Sequence, residues 1–256
     1  MGEAMLAAIL KKGLAKPGAI VVGDVAEARR KHLEKKYGIT ATSSNLGAAG
    51  KADVVILAVK PQNLAEVMAE LGGRLKSTQL VISIIAGAKI KTLSRGLRHD
   101  SIVRAMPNTP AQIGEGISVW TATAEVSGQQ KESARATLGA MGKEVYVDDE
   151  KYIDMATAVS GSGPAYFFLM VEALVDAAVG IGLPRETALA LVLETMLGSG
   201  HLIQRSGKEP AELRRMVTSP GGTTARALEQ LEEGKFADLL KRAVKAAYDK
   251  ARELGG

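Results

Sequence analysis

The second half of the chain contains two glycine-rich segments that could bind a small anion. The sequence SGSGPAYFF begins at Ser160, TSPGGTT ends at Thr224, and each precedes a predicted helix. Glycine lets the backbone approach a ligand closely, and the free N–H groups at the start of a helix attract negative charge. Thr223 and Thr224 would add hydroxyls beside those N–H groups. A Ser or Thr cap after a Pro-Gly turn is common without any ligand, but two such segments together predict a pocket for a small carboxylate.

The first half contains residues expected of a dinucleotide site. Asp24 closes the predicted strand AIVVGD. Gly2 precedes it by about 20 residues, the spacing between the third fingerprint glycine and the acidic residue that binds the ribose. Later strand ends carry Lys60 in AVKPQ, Ala86 and Gly87 in IIAGA, and the prolines of RAMPNTPAQ. Each turn alone is an ordinary connection. Because the carboxyl ends of parallel strands meet at one edge of a sheet, the turns together predict a nucleotide cleft.

Composition excludes several classes of site. The chain has no cysteine, which excludes disulfides, cysteine nucleophiles and thiolate metal ligands. Its histidines, His32, His99 and His201, are too few and too scattered for a histidine-rich metal site, so we expect no metal. The net charge is +5, but the basic residues alternate with acidic residues along predicted helices. Aromatic residues make up only 4% of the chain. We therefore expect solvated helix faces and no nucleic-acid surface.

Two patterns divide the chain near residue 150. Through residue 149, short apolar runs alternate with amphipathic segments, which predicts βαβ units and a doubly wound, Rossmann-like α/β sheet. The predicted strands cover 19–24, 52–60, 79–87, 101–106, 116–122 and 144–148. Only helical patterns follow. We therefore predict a dinucleotide-binding domain over 1–149 and an all-α substrate-binding and dimerisation domain over 150–256.

Two predicted helices of the second half, 164–182 and 183–203, are apolar almost all round. Helices of this kind are buried on every side. A half-chain of this length offers little to cover them, so we expect a homodimer that packs them against their copies. Glu172 and Asp176 interrupt the first helix and argue against a membrane span. No signal peptide is recognisable, and with the lack of cysteine this favours a cytoplasmic protein.

Four motifs, in chain order, carry a family resemblance. AVKPQ, RAMPNTP, SGSGPAY and RMVTSPGGTTARALEQLEE resemble pyrroline-5-carboxylate reductase, the last enzyme of proline synthesis, and the likeness extends along the whole chain. The resemblance implies a Rossmann domain, a helical dimerisation domain and often a ring of dimers. It also implies reduction of the cyclic imine 1-pyrroline-5-carboxylate to L-proline by NADPH or NADH.

The resemblance also implies site residues. The positions that match the family's cofactor contacts are Asn45, Ala58, Val59, Lys60, Pro61, Ala86 and Gly87, to which Gly2 and Asp24 are added from the spacing above. Those expected at the substrate, in a site shared across the dimer, are Glu150, Ser160, Gly222, Thr223 and Thr224. Thr224 is the expected catalytic residue, because one hydroxyl near the ring nitrogen and N–H donors for the carboxylate suffice for hydride transfer to a protonated imine.

The start of the chain departs from the family pattern. Members begin with a short strand and a G-x-G-x-x-G turn, of which only Gly2 matches here, so we expect a Rossmann sheet without its first strand and an impaired pyrophosphate site. Asp24 favours NADH because an acid there repels a 2′-phosphate, although Arg29 and Arg30 lie near it in sequence. Two alternatives stay open: a related two-domain reductase of another small carboxylate, and a dimeric form that has lost cofactor binding.

Overall fold

Helices and strands alternate along the first part of the chain, and helices alone make up the rest. The computed structural model describes residues 1–255. The strands are β1 Val21–Gly23, β2 Thr40–Thr42, β3 Val54–Leu57, β4 Leu80–Ser83, β5 Ile102–Met106, β6 Gly116–Ala122 and β7 Gly142–Tyr146. The helices are α1 Gly2–Lys11, α2 Glu27–Tyr37, α3 Asn45–Ala49, α4 Leu64–Leu71, α5 Ile90–Leu97, α6 Gly128–Gly139, α7 Lys151–Ala156, α8 Gly163–Gly180, α9 Arg185–Ser206, α10 Pro210–Met216, α11 Thr223–Glu233 and α12 Phe236–Leu254.

The strands form two sheets. β1 and β2 pair in parallel, and the second sheet has the order β3-β4-β5-β6-β7, in which only the β5–β6 pairing is antiparallel among the residues described. In the dinucleotide-binding order 3-2-1-4-5-6, the first strand lies between the second and the fourth. β1 and β3 correspond to those two flanking strands, and no strand within 1–255 pairs with both. This division confirms the expected Rossmann-like sheet without its first strand.

Helix α1 packs against the cores of both sheets. Met5 and Ala8 belong to the apolar cluster that contains Ile82 of β4 and Trp120 of β6. Leu6 instead packs in the cluster that lies beside β1 and β2. Side chains one and two positions apart point to different sides of a helix, so a single helix can hold the two sheets in one unit.

The chain divides into two compact units. The first contains Met1–Pro164 and Ala246–Gly256, and the second contains Ala165–Lys245. The division predicted at residue 150 falls within the first unit, because Asp154 of α7 bonds the Arg104 side chain of β5. In the second unit, large apolar side chains of α8 remain open in a single chain: Phe168 is 61% exposed and Leu169 is 66% exposed.

The segment around SGSG differs from the prediction. Lys151–Gly180 is one continuous helix, with a π-helical turn at Thr157–Gly161 in which the Ser162 N–H donates to the Thr157 carbonyl at 2.8 Å. The predicted helix start at Pro164 agrees with α8, which begins at Gly163, but the π turn joins α7 to α8, so this start is not a free helix end. The π turn absorbs an extra residue without ending the helix, and Pro164, which has no N–H, follows the shifted bonds. By length and composition alone this helix could cross a membrane, and 22% of its most apolar window is buried within the chain. One such helix is weak evidence for a membrane span, because a core helix of a soluble protein can have the same length and composition.

Several strand predictions are wrong at their ends: the runs predicted over 52–60 and 79–87 are strands only over Val54–Leu57 and Leu80–Ser83. The strand β2 was not predicted, because its three residues, TAT, are too short and too polar to stand out. The last strand begins at Gly142 and ends at Tyr146, two residues earlier than the predicted 144–148. By contrast, β4 is buried at every position and β5 at all but its last residue, as expected of strands covered on both faces.

Candidate active site

The start of α1 lies against the end of β3. Gly2 is the first residue of the helix, and a Cβ at this position would lie 3.2 Å from the Cβ of Ala58. No side chain caps the N-terminal N–H groups of α1. An uncapped helix start beside a small residue at a strand end is the arrangement in which a dinucleotide fold binds pyrophosphate.

Asp24 follows β1, and the arginines after it are already bound. Its Oδ1 accepts the N–H of Ala26 at 2.8 Å. Arg30 Nη1 donates to the carbonyl of Asp24 at 2.7 Å, and Arg29 forms an ion pair with Glu3 of α1. The carboxylate therefore lies at the end of β1, with Arg30 bonded to the backbone of the same turn and Arg29 paired with Glu3.

Glu3 is the centre of a partly exposed charge cluster beside that strand end. Its carboxylate accepts bonds from Lys36 Nζ at 2.9 Å and from the Tyr37 hydroxyl at 2.8 Å, in addition to Arg29. These donors, Lys36 foremost, lower the pKa of Glu3 from 4.5 to about 2. The cluster fastens α1 to α2, the helix that follows Asp24.

Asn45 approaches β1 closely. It is the first residue of α3, whose N-cap Ser44 accepts the N–H of Gly47 at 3.0 Å. A Cβ at Gly23 would lie 3.1 Å from Asn45 Oδ1. The glycine therefore leaves room for the amide at the carboxyl end of β1, close to Asp24.

The AVKP turn follows β3 and presents a cation. Ala58 and Lys60 are exposed, and Val59 packs partly on the core beneath. Pro61 begins a 3₁₀ turn in which the Asn63 N–H donates to the carbonyl of Lys60 at 2.9 Å. The Lys60 ammonium has no ion-pair partner in the part of the chain that the structure describes, so it is available to an anionic ligand.

Gly87 lies in a tight turn after β4. Its φ is +78°, and a Cβ would lie 2.7 Å from the carbonyl oxygen of Leu254, at the end of α12. Ala86 beside it is partly exposed. The turn therefore requires glycine on both conformational and steric grounds, and it keeps only small side chains at this strand end.

These strand ends fit a dinucleotide. An uncapped helix start, an acid at the end of β1, an unpaired lysine after β3 and a glycine turn after β4 belong to one unit of the fold. The fit is weakest at the pyrophosphate, where Gly2 alone represents the glycine fingerprint. Residues 1–255 contain no group of three His, Cys, Asp or Glu side chains that could hold a metal.

Glu150 lies at the start of α7 and has two protein partners. Its Oε1 accepts Arg104 Nη1 at 2.8 Å and the N–H of Ile90, the first residue of α5, at 2.7 Å. Arg104 Nη2 also donates to Asp154 Oδ1 at 2.6 Å. Arg104 and Asp154 were not among the predicted residues. The available signal was an arginine inside the apolar strand SIVRAM, because a buried guanidinium needs carboxylate partners.

Thr223 and Thr224 begin α11 in the second unit. Gly221 has φ of +71°, and Gly222 is the N-cap, with no side chain bonded to the first N–H groups of the helix. The hydroxyls of Thr223 and Thr224 have no hydrogen-bond partner among the described residues. Ser160, in the first unit, differs because its hydroxyl donates to the Ala156 carbonyl at 3.0 Å. The uncapped start of α11 thus offers N–H and hydroxyl donors to a carboxylate.

Comparison with known proteins identifies the family. A family model described as pyrroline-5-carboxylate reductase dimerisation matches residues 150–254, and one described as NADP oxidoreductase coenzyme F420-dependent matches residues 1–87. The pyrroline-5-carboxylate reductase of Synechocystis is 43% identical over 255 residues, which cover 100% of this chain and 95% of the relative. The enzyme of Pseudomonas aeruginosa is 42% identical over 259 residues, with 99% and 95% covered.

Solved structures agree with the sequence comparison. The Coxiella burnetii reductase matches with a TM-score of 0.90 at 36% identity, and the Plasmodium falciparum reductase with NADP bound matches with a TM-score of 0.91 at 33% identity. Each match covers 100% of this chain and 95% of the other. A prephenate dehydrogenase from A. aeolicus, at 14% identity and a TM-score of 0.55, shares the fold alone. With a helical half that matches the dimerisation model and full-length relatives of this name, the chain belongs to the pyrroline-5-carboxylate reductase family of NAD(P)-dependent oxidoreductases.

Proposed function

We propose that the chain reduces 1-pyrroline-5-carboxylate to L-proline and that the start of α11 binds the substrate. In the reaction, the protonated C=N bond accepts a hydride at carbon, the π electrons move to nitrogen, and the nitrogen takes up a proton to leave the ammonium of proline. NADH or NADPH, when bound, supplies the hydride. Family membership supports the reaction, and the local geometry supports the residue roles.

The residue assignment depends on one observation: no side chain caps the first N–H groups of α11, and the hydroxyls of Thr223 and Thr224 have no hydrogen-bond partner among the described residues. The N–H groups after Gly222 would bind the substrate carboxylate, which a helix start stabilises. The Thr224 hydroxyl would donate a proton to the ring nitrogen as the electron pair develops there. Thr218, which precedes the Pro-Gly-Gly turn, is less suited, because its hydroxyl already donates to the Arg214 carbonyl at 2.6 Å.

The protein's own groups would orient the cofactor from three strand ends. The start of α1 at Gly2 would bind the pyrophosphate, and Asp24, with Asn45 nearby, would accept a hydrogen bond from the adenosine ribose. Lys60, with Ala58, Val59 and Pro61, would hold the phosphates, and Ala86 and Gly87 would leave space for a flat ring. We therefore propose that residues 1–149 bind the cofactor and that residues 150–256 bind the substrate and form the dimer.

The chain forms a homo-oligomer, and we propose that its basic unit is a dimer built on α8 and α9. Large apolar side chains are open on both helices, among them Phe168 at 61%, Leu169 at 66% and Leu191 at 54% exposure. The match of the dimerisation family model to 150–254 favours a second copy over lipid as the cover for these faces. We also propose that the dimers associate into a ring. We further propose that the protein is cytoplasmic and acts without a membrane or nucleic acid.

Substitution at Thr224 tests the assignment. Thr224→Ala should lower kcat/KM for the imine about 10²-fold, the low end of the effect of a positioned proton donor, and Thr224→Ser should retain most of the activity. Thr137→Ala is the matched control, because that hydroxyl donates to the Ser133 carbonyl within α6. Cofactor oxidation with the imine is the measurement. Equal activity of Thr224→Ala and Thr137→Ala would remove Thr224 from the mechanism.

A further inference from the structure

The Gly87 turn, residues 84–88, follows β4 and is buried at every position but one. Ala86 is partly exposed, and the other four residues are buried. Ile85 and Ala88 pack in the apolar cluster that contains Leu93 of α5. The turn is therefore part of the core, and the side chain that it presents at this strand end is the methyl group of Ala86.

The end of α12 covers one side of the Gly87 turn. A Cβ at Gly87 would lie 2.7 Å from the carbonyl oxygen of Leu254, and a Cβ at Gly255 would lie 3.2 Å from the carbonyl oxygen of Gly87. The two backbones are therefore in direct contact through their glycines. Ala251, one turn before Leu254, is 4% exposed and belongs to the same compact unit as the turn. The end of α12 is thus packed on this unit and does not extend into solvent.

A second contact holds the segment after the turn. The N–H of Ile90, the first residue of α5, donates to Glu150 Oε1 at 2.7 Å. Between these two contacts, Gly87 adopts a φ of +78°, a conformation that glycine adopts as readily as many others. Without support the turn would have many conformations, because glycine has the greatest backbone freedom of any residue. The contacts from α12 and α7 therefore select one of them.

We propose that the end of α12, residues 251–255, is a positioning element that holds the Gly87 turn in the form that receives the nicotinamide ring of the cofactor. The inference rests on the proposed function, in which Ala86 and Gly87 leave space for that ring. A turn that is already ordered loses less conformational freedom when a ligand binds, so the contact raises affinity for the ring without touching it. The contact joins backbone atoms, so it does not depend on the Leu254 side chain, which is 55% exposed.

A binding experiment with two probes isolates the ring. NADH carries the nicotinamide ring, and ADP-ribose lacks it. In calorimetry, Ala251→Gln, which places a larger polar side chain at a buried position, should weaken NADH binding about tenfold and ADP-ribose binding less than twofold. Deletion of residues 251–256 should have the same effect. Glu253→Gln is the matched control, because Glu253 is exposed and pairs with Lys250 at the surface, and it should leave both affinities unchanged.

Three results would overturn the positioning role. Equal weakening of both probes would mean that the end of α12 only stabilises the unit as a whole. Tighter NADH binding in Ala251→Gln or in the deletion variant would mean that the end of α12 obstructs the ring. An unaltered chain that binds ADP-ribose and NADH equally well would mean that the Gly87 turn receives no ring.

A double-mutant cycle tests the contact from the other side. Gly87→Ala places a methyl group against the Leu254 carbonyl and should also weaken NADH binding more than ADP-ribose binding. Because Gly87→Ala and the deletion of residues 251–256 disrupt the same contact, the combined variant should bind NADH within about twofold of the weaker single variant. Losses that multiply would contradict the inference.

These measurements contain no imine, so they distinguish this inference from the proposed function. If the chain fails to reduce the imine while Ala251→Gln still weakens NADH binding selectively, the proposed reaction is wrong and the positioning role stands. If the imine is reduced but Ala251→Gln leaves the ratio of the NADH and ADP-ribose affinities unchanged, the positioning role is wrong and the reaction stands.

Discussion

A methyl group at Gly87 should cost far more stability than a methyl group at another glycine of similar conformation. Gly87 has φ of +78°, where a side chain costs about 1 kcal/mol. The new Cβ would also lie 2.7 Å from the carbonyl oxygen and 2.8 Å from the carbonyl carbon of Leu254. Because these are backbone atoms, they cannot rotate away, and overpacking of this kind costs about 1–3 kcal/mol more. Gly87→Ala should therefore lower the free energy of unfolding by about 2–4 kcal/mol.

Gly114 provides a matched control. Its φ is +82°, and nothing lies within 4 Å of a Cβ built there, so Gly114→Ala should lose only the conformational term of about 1 kcal/mol. Trp120 is the single tryptophan of the chain, is fully buried and belongs to the same unit as both glycines. Urea unfolding followed by Trp120 fluorescence therefore compares the two variants directly. Equal losses would refute the contact between the Gly87 turn and the end of α12.

Three further predictions concern the cofactor, a charge cluster and the dimer. Asp24→Ser should raise the ratio of kcat/KM with NADPH to that with NADH roughly tenfold, since it removes like-charge repulsion of about 1.4 kcal/mol; an unchanged ratio would place the ribose elsewhere. Glu3→Gln should cost about 1 kcal/mol at neutral pH, because its cationic partners are half exposed and screened. The folded-state pKa of Glu3 is lowered to about 2 from 4.5, so this stabilisation is complete above pH 4.5 and is lost as the pH falls toward 2, which acid unfolding of both proteins can check. Phe168→Glu should turn the dimer into a monomer in sedimentation experiments while exposed Gln129→Glu does not; a dimer in both would move the interface away from α8.

The sequence was most informative where one physical requirement dominates. Continuous apolar runs predicted β4 and β5, since strands buried on both faces need them. The start of α11 was equally clear, because the Pro-Gly-Gly turn cannot continue a helix and the threonines after it can begin one. The strand β2 is short and polar, so it has neither a continuous apolar run nor a turn that marks its start. Before the predicted helix start at Pro164, a π turn joins α7 to α8, and only the structure shows that this start is not a free helix end.

The candidate site was predictable in its parts and not in its connections. Strand-end residues such as Asp24 and Lys60 follow from the edge that parallel strands share. The Arg104 bonds to Glu150 and Asp154 join residues 46 and 50 positions apart, so no local pattern contains them. The closure of the Gly87 turn by Leu254 joins still more distant residues. Contacts of this kind depend on how elements pack, which a local propensity does not encode.

The most direct test of the central claim is the reaction of the purified chain with 1-pyrroline-5-carboxylate. Oxidation of NADH or NADPH should require the imine and should form one L-proline for each dinucleotide consumed. Trp120 fluorescence and sedimentation would establish that the same sample is folded and dimeric. Stoichiometric proline formation is the predicted result. A folded, dimeric protein that forms no proline with either dinucleotide would contradict the account.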